Sequence, residues 1–236
     1  PEMLPVCAKV AAIPIKRHQR PEMKFLARDE IEALFACIPA QDRLSLRDRA
    51  LLMLLYNTGA RVSEAAQLKL EQLDLASPAR VRLLGKGSKW RTCPLWTQTA
   101  KALQAMLDER DTVLSPDTHV FVGDTGGGMT RFGIYKRGRH YAKRWEAAGV
   151  QASRTHITPH VFRHTTAVHL LESGVEVNVI RGWLGHVNLE TTNRYAEITI
   201  RMKEDALKLL DPVASNGARK SAWRSDAAML AWLSSL

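Results

Sequence analysis

Apolar and polar positions alternate along the chain with a helical period, interrupted by one short stretch of period two. Ile31, Leu34 and Phe35 recur at i, i+3, i+4 and predict a helix over 28–37. Ser45 is placed to cap a second helix running to about Asn57, with Leu51, Leu54 and Leu55 inward and Gly59 ending it. A short helix is predicted from Val62 to about Leu68. Residues 80–84 (R-V-R-L-L) and 91–95 (R-T-C-P-L) flank Gly85-Lys86-Gly87-Ser88-Lys89, which predicts a β-hairpin. Helical spacing returns over 97–110, and His119 to Val122 reads as another short strand before the Gly126-Gly127-Gly128 loop. Thr130 can cap a helix to about Ala148, and helices follow at 159–173, 177–184, 189–196 and 200–210. After a loop-like stretch from Pro212 to Lys220, residues 222–236 form an amphipathic pattern with Trp223, Met229, Leu230 and Leu233. The expected fold is mainly α with a small antiparallel β-sheet.

Composition adds constraints to this pattern. With 236 residues, 45% of them hydrophobic and 25% charged, the chain can bury a core, which excludes wholesale disorder. The longest strongly apolar run, Ala50 to Tyr56, is too short to span a bilayer. Pro5, Lys9, Pro14, Lys16 and Arg17 interrupt any secretory pattern. Three widely spaced cysteines (Cys7, Cys37, Cys93) point to a reduced, cytoplasmic protein with neither a disulfide framework nor a zinc finger. Lys and Arg total 34 against 24 Asp and Glu, a net charge of +10, which fits a polyanionic partner such as nucleic acid as well as a generally basic enzyme. Prolines at 1, 5, 14 and 21 and the cluster Lys16-Arg17-His18-Gln19-Arg20 make residues 1–24 a basic linker or arm.

Four segments carry candidate chemistry. In Thr158-Pro159-His160-Val161-Phe162-Arg163-His164, Pro159 suits a first helical turn, and His160 and Arg163 share a face. An imidazole beside a guanidinium can grip a phosphate and move a proton, although a packed His160 and a surface ion pair of Arg163 fit the same spacing. His160 and His164 also have zinc-pair spacing, but the Glu of H-E-x-x-H is absent, so no metal is expected. In Thr58-Gly59-Ala60-Arg61-Val62-Ser63-Glu64, Arg61 enters a helix start, where anions are favoured, and Glu64 can hold its guanidinium. Lys86 sits between two glycines on the hairpin turn, with Lys89 and Arg91 nearby. There it can donate a proton, neutralise a phosphate or merely be solvated. Finally, Gly182-Trp183-Leu184-Gly185-His186 precedes Thr191-Thr192-Asn193-Arg194-Tyr195. A phenol becomes a nucleophile only beside a proton acceptor and stabilising cations; otherwise it is a half-buried tyrosine.

The order and spacing of T-G-A-R-V-S-E, L-G-K-G-S-K-W-R-T-C-P-L, T-P-H-V-F-R-H-T-T-A and W-L-G-H-V-N-L-E-T-T-N-R-Y resemble the tyrosine recombinases, the phage integrases and Xer-type enzymes. The resemblance covers about residues 25–210, the family's catalytic domain. It implies that Arg61 and Arg163 clamp the scissile phosphate of duplex DNA and that Lys86 protonates the leaving 5′ oxygen. His160 would assist proton transfer, His186 would hydrogen-bond the phosphate, Tyr195 would be the nucleophile and Glu64 would support the site. The implied reaction is site-specific cleavage and rejoining through a 3′-phosphotyrosyl link, with no metal, ATP or other cofactor. A catalytically idle DNA-binding protein and a type IB topoisomerase-like nicking and closing enzyme are the alternatives.

For binding, segment 131–154 gathers Arg131, Lys136, Arg137, Arg139, Lys143, Arg144 and Arg154 against Glu146, with Tyr135, Tyr141 and Trp145 interleaved. A helix there could enter a groove or track phosphates, as the resemblance implies, or present a solvated basic face. Lys89 and Arg91 join this set. The resemblance further implies a core-binding domain ahead of residues 1–24 and a catalytic domain over 25–211. It also implies a tail over 212–236 that docks on a neighbour or folds back. The implied partner is double-stranded DNA, bound as a homotetramer and with a monomer in its absence. No membrane is involved, and the place is the cytoplasm, on the nucleoid.

Overall fold

A computed structural model describes residues 23–39, 41–110, 115–147, 157–185 and Leu207. The elements are α1 (Arg28–Ala36), α2 (Arg43–Thr58), α3 (Val62–Ala66), a 3₁₀ turn (Leu70–Gln72), β1 (Leu73–Asp74), β2 (Arg80–Leu84), β3 (Trp90–Pro94), α4 (Thr97–Asp108), α5 (Arg131–Ala147), α6 (Pro159–Glu172) and α7 (Val177–Leu184). The arm over 1–22, Arg154, His186, Tyr195 and the helices expected at 189–196, 200–210 and 222–236 lie outside the described residues, Leu207 apart.

The centre of the fold is α2, against which α4 and α6 both pack. Leu51, Leu54 and Leu55 are buried as their spacing predicts, and Leu52 is buried too because neighbours cover more than one face. Its cap is Asp42 rather than Ser45. One Asp42 carboxylate oxygen accepts from the amides of Leu44 (3.0 Å) and Ser45 (2.9 Å), two of the donors a helix start leaves unpaired. The Ser45 hydroxyl instead donates back to Asp42 (2.8 Å).

The sheet is antiparallel in the order β1-β2-β3, with Val81 opposite Cys93 and Leu83 opposite Arg91. Along β2, Val81 and Leu83 are buried while Arg80 and Arg82 face out, the period-two pattern of a half-covered strand. The two-residue β1 was too short to be legible in the sequence. His119 to Val122 makes only the isolated bridges Lys69–His119 and Val122–Gly128 instead of a strand. Its apolar Val120 and Phe121 plug the core, and the Val120 amide is spent on the Leu68 carbonyl (2.8 Å).

Helix α6 starts as predicted, with Pro159 in its first turn and the Thr158 hydroxyl accepting from the Val161 amide (3.3 Å). It is buried on nearly every side, so its polar residues need internal partners. The Thr166 hydroxyl donates to the Tyr56 carbonyl (2.6 Å), and the Thr165 hydroxyl accepts from the Leu26 amide (2.9 Å). Ile180 and Leu184 of α7 pack on Ala167 and Val168 of α6 in a second, smaller core.

Two helices, α2 and α7, end at left-handed glycines, Gly59 (φ 58°) and Gly185 (φ 63°). At Gly59 a Cβ would stand 2.3 Å from Leu184 Cδ2, so the buried Leu184 side chain would have to shift to admit it. Gly59→Ala is therefore expected to cost about 2–4 kcal/mol, from the left-handed backbone and the overpacked contact together. Urea unfolding checks this, and a loss under about 1 kcal/mol would contradict the contact.

Candidate active site

Arg163 projects from the first turns of α6 between the ends of α2 and α7. Its side chain donates through Nη1 to the Gly59 carbonyl (2.6 Å) and through Nη2 to the Leu184 carbonyl (2.7 Å), and the residue is only 5% exposed. These carbonyls terminate helices, where the backbone dipoles leave partial negative charge. His160 and Arg163 share a face of the continuous helix α6 as their spacing predicts, with His160 exposed at the helix start and Arg163 buried one turn deeper.

Arg61 occupies the cap position of α3 and approaches the same place from the other side. Its Nη2 donates to the Gly185 carbonyl (3.3 Å) and its Nη1 to Glu64 (2.9 Å). Glu64 is the acidic hub beneath it, 5% exposed. One carboxylate oxygen takes the Arg61 guanidinium, and the other takes the Arg61 amide (2.8 Å) and Nη2 of Arg91 (2.7 Å). Burial pushes the Glu64 carboxyl up, but the hydrogen bonds and charges of Arg91 and Arg61 outweigh it and hold the group below the usual glutamate range.

Arg91, which the sequence reading assigned to DNA, is placed in the interior. It lies on the same inward face of β3 as Cys93, and its side chain is 9% exposed. Its Nε donates to the Trp183 carbonyl (3.0 Å) in the last turn of α7. The alternation R-T-C in β3 was a legible signal for this inward placement. Lys86 and Lys89 are exposed on the hairpin turn, which the Gly85 amide closes by donating to the Lys89 carbonyl (2.8 Å). Both lysines border a groove of about 580 Å³ between the hairpin and α7, together with Asn178 and Arg181. Those two α7 residues were not singled out in the sequence. Their signal was two polar positions three apart, on a helix whose Val177, Ile180 and Leu184 form the apolar stripe.

Helix α5 presents Arg131, Lys136, Lys143 and Arg144 outward and buries Ile134, Tyr141 and Trp145. Arg139 is half-buried and partnered. Arg137, also assigned to DNA by the sequence reading, leans toward the buried Asp48 (3.7 Å). Asp48 also accepts from Arg47 (3.0 Å) and from the Tyr141 hydroxyl (3.2 Å), so it pins the basic helix to α2. Burial and the Asp48 charge push Tyr141 up to about 12, which keeps its hydroxyl a donor at neutral pH.

This geometry gathers Arg61, Glu64 and Arg163 around the end of α7, immediately before His186, with Lys86 at the mouth of the adjoining groove. Residues 24–202 match the Phage integrase family. The chain belongs to that family. The described part is a tyrosine recombinase catalytic domain. A putative integrase/recombinase, y4rC, of Sinorhizobium fredii is 34% identical over 236 residues, 100% of this chain and 70% of that protein. Tyrosine recombinase XerC of Staphylococcus carnosus is 38% identical over 176 residues, 74% of this chain and 57% of that protein. Tyrosine recombinase XerD of Vibrio cholerae is 37% identical over 185 residues, 77% and 59% respectively. The chain thus spans between 57% and 70% of the length of these relatives. Among solved structures, XerA recombinase superposes with a TM-score of 0.66 at 25% identity, covering 85% of this chain and 69% of that one. XerH recombinase bound to palindromic difH substrate, a post-cleavage complex, also gives 0.66 at 25% identity, covering 78% and 53%.

Among the described residues of this tyrosine recombinase domain, no helix is long and apolar enough to cross a membrane. The lowered carboxyl of Glu64 carries a pH signature. Its contribution to stability is complete above the ordinary glutamate value of 4.5 and is lost as pH falls through the lower folded value. Urea midpoints are expected to fall on acidification below that value, and the glutamate-specific part of the fall should vanish in Glu64→Gln. An unchanged pH profile in Glu64→Gln would show that the carboxylate is not held by its arginines.

Proposed function

We propose that this chain is the catalytic part of a site-specific DNA recombinase that cleaves and rejoins duplex DNA through Tyr195. In this reading the Tyr195 oxygen attacks the scissile phosphorus and its proton is taken up with the assistance of His160. The bond to the 5′ oxygen breaks as Lys86 protonates it, and a 3′-phosphotyrosyl link holds the broken strand. The link conserves the phosphodiester, so the 5′-hydroxyl of another strand can reverse the step and complete the joining. Arg61 and Arg163, with His186, would stabilise the charge that grows on the phosphate oxygens in the transition state. Fixed donors of this kind are each worth about 3–4 kcal/mol. With protein cations supplying that charge, the reading requires neither metal nor ATP.

The observation that carries the reading is the convergence of Arg61 and Arg163 on the two α7-terminal carbonyls, beside the Lys86 groove and at the entrance to the segment bearing His186 and Tyr195. XerH site-specific recombinase, a relative of the same fold solved with palindromic difH substrate in a post-cleavage complex, adds support. The partner proposed here is double-stranded DNA, with assembly as a homotetramer on it, in the cytoplasm.

The test uses nicked suicide duplexes prepared from the chain's own genome, incubated with the chain in EDTA. A protein–DNA adduct stable to denaturant is expected with the native chain and none with Tyr195→Phe. An adduct in Tyr195→Phe would assign the nucleophile elsewhere, and no adduct with either would leave a DNA-binding protein without strand transfer. On paired sites, plasmid relaxation without exchanged products would mark a nicking and closing enzyme instead.

For binding, Lys136→Ala should weaken affinity for any duplex and lower the slope of log K against log salt by about one. Arg137→Ala should lower the unfolding midpoint more than the salt slope, because its partner is Asp48. Equal loss of slope in both would place Arg137 on DNA as well.

A further inference from the structure

The interior position of Arg91 has a consequence for the chemistry. Its guanidinium threads between two glycines. A Cβ at Gly185 would lie 3.2 Å from Arg91 Cδ and 3.4 Å from Nη1, and one at Gly85 would lie 3.6 Å from Nη1. The side chain therefore fills the seam between the hairpin and the end of α7. Three limbs of the site meet on it. Its own strand, β3, carries the hairpin whose tip is Lys86. Its Nη2 holds Glu64, which holds Arg61. Its Nε holds the Trp183 carbonyl, three residues before His186, and the Cys93 thiol donates to that carbonyl as well (3.6 Å).

Stability alone accounts poorly for this choice of residue. A buried guanidinium is costly to desolvate, and its Nη1 has no hydrogen-bond partner among the described residues. An apolar side chain of similar length beside a neutral residue at 64 would fill the seam at lower cost. What an apolar chain cannot do is donate from one rigid plane to a carboxylate and a carbonyl on different elements. A lysine does it less well, because its three donors sit on one terminal nitrogen and lack the rigid planar fork.

We propose that Arg91 is a positioning residue for strand transfer, setting Arg61 through Glu64 and setting the entry to the His186 segment through the Trp183 carbonyl. The proposal rests on the recombinase reading above, and it denies Arg91 a direct contact with DNA.

Three measurements on the full chain test it, with Arg91→Met and Arg91→Lys compared with the native residue. In binding to random-sequence duplex as salt is raised, the slope for Arg91→Met should match the native slope. A fall of about one would make Arg91 a phosphate contact and overturn the proposal. Amide hydrogen exchange over residues 183–185 should quicken at least about tenfold in Arg91→Met while α1 is unchanged. Unaltered exchange there would overturn it equally. In cleavage of the suicide duplex, Arg91→Met should lower the single-turnover rate about 10–100-fold with little change in the protein concentration that half-saturates it, as small misplacements of reacting groups do. Arg91→Lys should recover part of that loss, and Arg61→Ala with Arg91→Met should lose less than the product of the two single losses, because the route through Arg61 is already gone while the route through Trp183 is not. Multiplied losses in the double variant would mean that Arg91 does not act through Arg61. If the native chain cleaves nothing, the strand-transfer reading falls, while the binding and exchange measurements still decide whether Arg91 holds the end of α7.

Discussion

A guanidinium taken out of water is tolerated only where acceptors already point at it, and around Arg163 those acceptors are the ends of helices. The α2 helix delivers the Gly59 carbonyl and α7 the Leu184 carbonyl, each at the negative end of a helix dipole. Because Arg163 grows from α6, one side chain ties three helices together. The left-handed turn at Gly59 makes the approach possible, since a larger residue there would drive into Leu184. The packing of α7 on α6 and the charge of the site are therefore one constraint, and neither can be altered without the other.

The second constraint is electrostatic. Glu64 is buried with two arginines on it, and the hydrogen bond and charge of Arg91, with the hydrogen bonds of Arg61, hold its carboxyl low in spite of its burial. A lone buried carboxylate would be costly, and two clustered guanidiniums without it would repel. The triad settles both problems and aligns Arg61 toward the Gly185 carbonyl, 3.3 Å away. A similar device operates beneath α5, where buried Asp48 gathers Arg47, Tyr141 and Arg137 and so orients the outward row of Arg131, Lys136 and Lys143. In both places one interior acid gathers basic side chains from neighbouring elements.

Much of this was legible residue by residue. Pro159 with the Thr158 cap announced α6, the G-K-G-S-K turn announced the hairpin, and Gly59 and Gly185 announced the ends of α2 and α7. The N-cap of α2 was misplaced by three residues because a serine and an aspartate both satisfy the local rule, and the carboxylate accepts two amides. His119 to Val122 failed as a strand because its apolar residues serve the core through bridges that no local pattern reveals.

The sequence by itself determined the helices and the hairpin among the described residues, because caps, turn glycines and periodicity act over a few residues. Only the tertiary structure decided which cations face inward. Arg163 finds Gly59 across 104 positions, Arg61 finds Gly185 across 124, and Arg91 finds Trp183 across 92. A basic residue reads the same in sequence whether it meets water or a carboxylate. Its role is settled by partners that come near only when the core closes.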